Sequence, residues 1–224
     1  IYNSRILPAL GVKRGGVPSP RLIFACGQPG SGKTTTVHRL LNQLGRDQTQ
    51  LISIDSVADL LPEVFGGDAG SAAEAHEKTF QTKAEMSYIN ALFGHAASLQ
   101  AHVIWERPFP EQTVSFGLAA RALGYRTECQ VIAVPADESW LSVLTRETIR
   151  NGEAGRVPKR VRWDRVAESH HGWPAFLGRA EDQHAFDEIR VINRDGEVLF
   201  ENRLVPDATP ARWENPAFAF ESLV

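Results

Sequence analysis

The sequence predicts an α/β fold, a three-layer sandwich with a mostly parallel central sheet, and three observations carry that expectation. Short apolar runs alternate with helical periods along the first two thirds of the chain, the pattern of strands joined by helical crossovers. A glycine-rich octet, Gly27-Gln-Pro-Gly-Ser-Gly-Lys33-Thr34, separates the first apolar run from the first helical period. A late pair of alternating segments flanks Asn193-Arg-Asp-Gly196, where Asp-Gly supplies a tight turn and closes a β-hairpin.

Residues 1–20 contain Gly15, Gly16, Pro18 and Pro20 without a clear period and read as an arm leading to the core. Residues 21–26 form a short apolar run that fits a buried parallel strand. After the octet, residues 34–44 have helical spacing that Gly45 ends. Residues 51–54 read as a second strand stopped by Asp55, and 71–99 as a long helical region with Gly94 as its breaking point. A third strand spans 101–105, closed by Glu106; a helix spans 110–123; a fourth strand spans 127–134. Residues 138–150 are helical again, 151–158 form a loop, and a mostly helical stretch runs to about 180. The hairpin covers 188–193 and 197–202. Residues 204–224, with Pro206, Pro210 and Pro216, read as a tail outside a domain of 21–203.

Composition bounds the function classes. With 224 residues, 42% hydrophobic and 23% charged, the chain is an ordinary globular protein able to bury a core without staples. A net charge of −3 argues against a broad nucleic-acid surface, and no apolar stretch approaches a membrane span. Its two cysteines, Cys26 and Cys129, sit inside strand-like runs and read as small core hydrophobes rather than a disulfide or metal pair. The first residue is Ile1 rather than Met, as expected of a fragment or a processed chain. Adjacent His170 and His171 make no metal signature, and Trp163 and Trp173 read as packing residues of the last helices.

The octet is a complete Walker A pattern. Its glycines let successive backbone N–H groups turn inward around phosphate oxygens at the positive end of the following helix. Gly27, Gln28, Pro29, Gly30, Ser31, Gly32, Lys33, Thr34 and Thr35 are therefore the expected nucleotide-binding set, for ATP or GTP. Lys33 can reach the terminal phosphates, and Thr34 can hold Mg²⁺ through its hydroxyl. The fold class thus becomes that of a P-loop NTPase with a helical lid and a C-terminal hairpin, at work where ATP is, in the cytosol.

In such sheets ligands sit at the carboxyl ends of the strands, where Gly27, Asp55 and Glu106 all fall. Asp55 is the candidate base toward an acceptor hydroxyl; capping of the next helix is its bland alternative. Glu106 can act as a Walker B acid on Mg²⁺ or grip the acceptor, against the alternative of a surface carboxylate. Arg146 and Arg150 share one helix face, and Arg156 lies in the glycine-containing loop beyond; a lid that neutralises transition-state charge explains them. A solvated face paired with Glu147 and Glu153 is the alternative.

Taken in order, these motifs resemble the zeta-toxin family of small-molecule kinases. The matching elements are GQPGSGKT at 27–34, Ile54-Asp55, Val103-Ile-Trp-Glu106, Leu141-Ser-Val-Leu-Thr-Arg146, Gly155-Arg-Val-Pro-Lys159 and the Asn193-Arg-Asp-Gly196 hairpin, within residues 20–203. The resemblance implies Lys33, Asp55, Arg146 and Arg156 as catalytic residues, with Glu106 and Glu85 lining the acceptor pocket. It implies ATP and Mg²⁺ as cofactors, a sugar hydroxyl of UDP-N-acetylglucosamine as acceptor, and a small helical antitoxin as partner. One segment departs: where family members continue with Gly-Thr-Leu-Arg, this chain has Arg107-Pro108-Phe109-Pro110, which removes backbone donors and leaves Arg107 to replace the missing cation. A different nucleotide-type acceptor fits that change.

Overall fold

The computed structural model describes residues 2–60, 83–110, 112–151, 161–205 and 211–215. Among the described residues, seven strands form the sheet: β1 (Arg21–Cys26), β2 (Thr49–Ile52), β3 (His102–Arg107), β4 (Arg126–Ile132), β5 (Glu188–Ile192), β6 (Val198–Val205) and β7 (Arg212–Trp213), in the order β2-β3-β1-β4-β5-β6-β7. The first five run parallel, and β6 returns antiparallel to β5 with a bulge at Val191/Ile192. Among the described residues the α-helices are α1 (Leu7–Leu10), α2 (Lys33–Leu44), α3 (Ile54–Leu60), α4 (Lys83–Ser98), α5 (Thr113–Ala122), α6 (Ala136–Asn151) and α7 (Trp163–Asp182).

The pleat of β1 decides the layers. Ile23 and Ala25 face α2, meeting Val37, Leu40 and Leu41 on its apolar stripe, as does Ile104 of β3. Leu22, Phe24 and Cys26 face the opposite side and join the main core with Trp105, Ile89 and Leu92 of α4, Ala120 of α5 and Phe176 of α7. Phe24 stacks on Trp105 at 5.7 Å, and Trp105 meets Phe116 at 4.5 Å. Cys26 and Cys129 are free, buried thiols 3.8 Å apart, not a disulfide.

Beyond β1, the face that α2 covers turns charged. Glu128 pairs in register with Ile23 and with Glu188, which lies opposite Arg203. Arg21 donates to both Glu128 oxygens, Nε at 2.8 Å and an NH2 group at 2.7 Å, while Arg126 reaches Glu188 at 2.9 Å and Arg190 reaches Glu201 at 2.7 Å. Burial, and then the charge of Glu128, raise the pKa of Glu188 above the usual carboxylate range. An ion-pair ladder therefore stands over β4–β6 where β1 and β3 carry apolar contacts.

Several boundaries differ from the sequence reading. The second strand ends at Ile52, not 54: Ile54 opens α3 and packs against the core, so Asp55 occupies the helix's first turn. Helix α4 runs through Gly94 without a break, because Leu92 and Ala96, both fully buried, hold it across that point; residues 61–82, including the first part of the expected 71–99 helix, lie outside the described residues. The N-terminal arm is docked. Ile6 and Val12 are buried, Val12 N–H donates to Gln50 Oε1 at 2.9 Å, and Gln50 Nε2 donates to the Leu10 carbonyl at 2.9 Å. In the tail, β7 pairs with β6, and Trp213 Nε1 donates to the Glu181 carbonyl at 2.8 Å. Trp173 is buried as expected, whereas Trp163 is 45% exposed and sits edge-on to Trp140 at 5.9 Å.

Candidate active site

Strand β1 delivers the octet to the carboxyl edge of the sheet, and the loop's shape depends on glycine. Gly30 has φ 84°, and a Cβ there would lie 2.1 Å from the Ser139 carbonyl oxygen of α6. Gly32, at φ 98°, forms the N-cap of α2 with no side-chain cap, so the helix's first N–H groups and its positive end face the loop. Lys33 folds back over this turn. Its Nζ donates to the carbonyls of Gly27 at 2.7 Å and Gln28 at 2.8 Å. Thr34 and Thr35 are exposed on the first turn of α2.

Lys33 also reports what surrounds it. Burial drives its pKa down from 10.5 to about 8, opposed by Glu106, reinforced by Arg146, and opposed again by Asp55 and Cys26. The charges that act on Lys33, at the start of α2, thus come from three other elements: Glu106 from β3, Asp55 from α3 and Arg146 from α6. Glu106 accepts a hydrogen bond from Ser53 Oγ at 3.0 Å, which orients its carboxylate. Arg146 has a buried Nε without a hydrogen-bond acceptor, the state expected of a guanidinium set to meet an anion. Its neighbour Glu147 accepts instead from the Val161 N–H at 2.7 Å, tying α6 to the chain beyond the 152–160 segment.

The remaining expected residues divide. Arg107 is 9% exposed, donates from Nε to Thr113 Oγ1 at 3.1 Å, and lies 5.7 Å from the Trp105 ring and 5.6 Å from that of Phe116. At the end of β3 it is a buried cation held against two aromatic rings rather than an open surface cation. Glu85 lies on α4, and its side chain is outside the described residues, as is all of Arg156 and the side chain of Arg150. A donor set of hydroxyl and carboxylate oxygens, Thr34 with Asp55 and Glu106 near Lys33, suits Mg²⁺, which prefers oxygen and takes much of its shell from phosphates and water.

Two contributors, His170 and Arg194, escaped the sequence reading, and Gln28, expected only as part of the octet, has a further bracing role. Gln28 is fully buried, with Nε2 donating to the Val134 carbonyl at 2.6 Å and to Ser139 Oγ at 3.0 Å. His170 lies 3.4 Å from the same amide, half-buried rather than on a plain polar surface, its pKa lowered by burial and then by His171. Arg194, read only as a turn residue, crosses to the loop and donates to the Gly30 carbonyl at 2.9 Å. Each contact joins residues over a hundred positions apart, so no local pattern signals it. Ser53 carried no signal of its own beyond its place in the expected strand 51–54.

A parallel sheet in the order 2-3-1-4-5, a glycine loop at its central strand and a buried lysine folded back over that loop define a P-loop phosphotransferase. A family model described as Zeta toxin matches residues 11–205, and the chain belongs to that family. Among solved structures, one reported as a characterization of the PezAT chromosomal toxin-antitoxin system of Streptococcus pneumoniae superposes with a TM-score of 0.65 at 18% identity, covering 88% of this chain and 77% of that one. The AvrRxo1-ORF1:-ORF2 crystal structure with ATP gives a TM-score of 0.55 at 18% identity, covering 81% of this chain and 57% of that one. At these identities both likenesses concern the fold. No curated protein matches the chain in sequence.

Proposed function

We propose that this chain is an ATP-dependent toxin kinase that transfers the γ-phosphoryl group to a hydroxyl of a nucleotide-type metabolite, UDP-N-acetylglucosamine or a related nucleotide sugar. The convergence of Asp55, Glu106 and Arg146 on Lys33 carries the reading. In it, residues 27–35 hold ATP, with GTP as the other purine triphosphate the loop accepts. Thr34 holds Mg²⁺, which neutralises phosphate charge when bound. Asp55 takes or steers the acceptor's proton, so the attacking oxygen gains charge as its O–H bond breaks. Lys33, Arg146 and Arg156 stabilise the charge on the moving phosphoryl group, and the lid excludes water. Glu85, Glu106 and Arg107 line the acceptor side. A small helical antitoxin is the expected restraint, and the cytosol the place of action.

One observation fits a second acceptor class equally. The loop after Glu106 is stiffened by two prolines and anchored where Ser169 Oγ donates to the Pro108 carbonyl at 2.5 Å. A wall so fixed suits a nucleotide or dinucleotide such as NAD as well as a nucleotide sugar. The deciding experiment incubates the protein with MgATP and a panel of nucleotide sugars, nucleotides and NAD, and reads the phosphoryl mass shift. A shift that depends on Lys33 and Asp55 supports the proposal. Labelling of a polynucleotide or an antibiotic instead would overturn the acceptor class, and turnover indifferent to Asp55→Ala would overturn the kinase mechanism. Expression should also harm bacteria in a manner that Lys33→Ala relieves.

A further inference from the structure

One side chain bound to the phosphate loop has no part in the chemistry above. Arg194 follows Asn193 in the β5–β6 turn, 164 positions from the loop residue it touches. One NH2 group donates to the Gly30 carbonyl at 2.9 Å; the other donates to Ser142 Oγ at 3.0 Å and lies 3.2 Å from Glu138 Oε1, both on α6. Its Cγ lies 3.2 Å from where a Cβ on Gly32 would stand. The turn beneath it is itself fixed: Asn193 Oδ1 accepts from the Gly196 and Glu197 N–H groups, each at 2.9 Å, and Arg39 donates to the Asp195 carbonyl at 2.9 Å.

Loop and helix are thus set against each other twice. On one side Gly30 abuts Ser139 so closely that no Cβ fits between them. On the other, a planar fork spans the same two elements. Ser142 and Arg146 lie four apart on α6, one turn along the same face. Whatever fixes Ser142 relative to the loop therefore fixes where Arg146 stands relative to Lys33.

We infer that Arg194 is a positioning residue: a latch from the C-terminal hairpin that holds α6 against the phosphate loop and so places Arg146 at the transferring phosphoryl group. The inference rests on the kinase reading. A guanidinium suits the task because its donors diverge in one rigid plane, whereas a lysine is a single point charge that cannot span both elements.

The test is a double-mutant cycle of Arg194→Met and Arg146→Ala in the full chain, read by turnover, MgADP affinity and thermal unfolding. Arg194→Met should lower kcat about tenfold while MgADP affinity changes less than about twofold, because the group acts on the transition state through Arg146. Added to Arg146→Ala, it should cost less than about twofold more, since the residue it positions is gone. Arg194→Lys should fail to rescue. Additive losses, an equal loss of MgADP affinity, or full rescue by lysine would each overturn the latch. If Arg194→Met does not fold, Ser142→Ala with Glu138→Gln removes the same fork from its other end and must show the same non-additivity. A wild-type protein without turnover would sink the kinase reading instead. The cycle read by MgATPγS affinity then decides the latch alone, which stands only if the affinity that Arg146 contributes disappears in the Arg194→Met background.

Discussion

Burial of Lys33 makes nucleotide binding depend on pH in a calculable way. With its pKa lowered to about 8 in the free protein, the side chain is about nine-tenths neutral at pH 9. A triphosphate placed against it favours the charged form and returns the pKa toward its ordinary value, so binding must take up a proton above pH 8. The dissociation constant should therefore rise about eightfold between pH 7.5 and 9, with uptake of about 0.8 proton per nucleotide at pH 8.5. Calorimetry in buffers of differing ionisation enthalpy measures both, and Lys33→Met, which cannot titrate, should bind weakly and without this slope. Stability carries the opposite sign. Because the folded pKa is depressed, the unfolded chain binds more protons between about pH 8 and 10.5, so the free protein gains stability as pH rises through that window. The shift corresponds to about 3 kcal/mol at most, a cost fully present below pH 8 and cancelled when phosphate arrives. A flat affinity profile with no proton uptake at pH 8.5 would refute the reasoning.

Gly30→Ala should abolish MgATP binding, measured by calorimetry, because its Cβ would meet the Ser139 carbonyl oxygen at 2.1 Å and neither backbone can retreat freely. Asp55→Ala should lower turnover about 10²-fold or more while leaving MgATP affinity within about twofold, the signature of a group acting only on the reacting hydroxyl. Glu128→Ala should cost about 2 kcal/mol or more in urea unfolding, since its buried carboxylate takes both donors of Arg21; nucleotide affinity should not move, as the ladder lies away from the carboxyl edge.

What the sequence made legible follows from where its signals are local. Apolar runs at 21–26 and 101–105 fit strands with both faces covered, and the structure buries Ile23 under α2 and Phe24 under the main core. The octet's glycines are equally local, each tied to its own backbone angle. Asp55 was displaced because Ile54 is apolar for a helical reason, packing against the core from the first turn of α3, which period-two reading cannot distinguish from a strand end. Gly94 was overrated as a breaker: its cost of about 1 kcal/mol is small against the burial of Ile89, Leu92 and Ala96 on the same helix. The docked arm escaped because Ile6 and Val12 are isolated anchors, and the bonds of the Val12 backbone to Gln50 and His95 have no period.

The same distinction separates the chemistry from its support. Lys33, Asp55 and Glu106, expected to touch phosphate or acceptor, sit at ends of strands or starts of helices, where sheet topology alone gathers them, so motif and order suffice to find them. The groups that hold those residues in register do not share that constraint. Gln28 and Arg194 reach across the fold to carbonyls and hydroxyls, and His170 to the Gln28 amide, so their identity is fixed by reach and planarity rather than by spacing. A loop whose cation stays buried in the free state needs such support, because burial of Lys33 is held against its own desolvation by the carbonyls of Gly27 and Gln28 and the acids beside it. Loosening the frame would let water reach Lys33 and raise its pKa, so the pH slope of binding is also a measure of how firmly the distant residues hold the site.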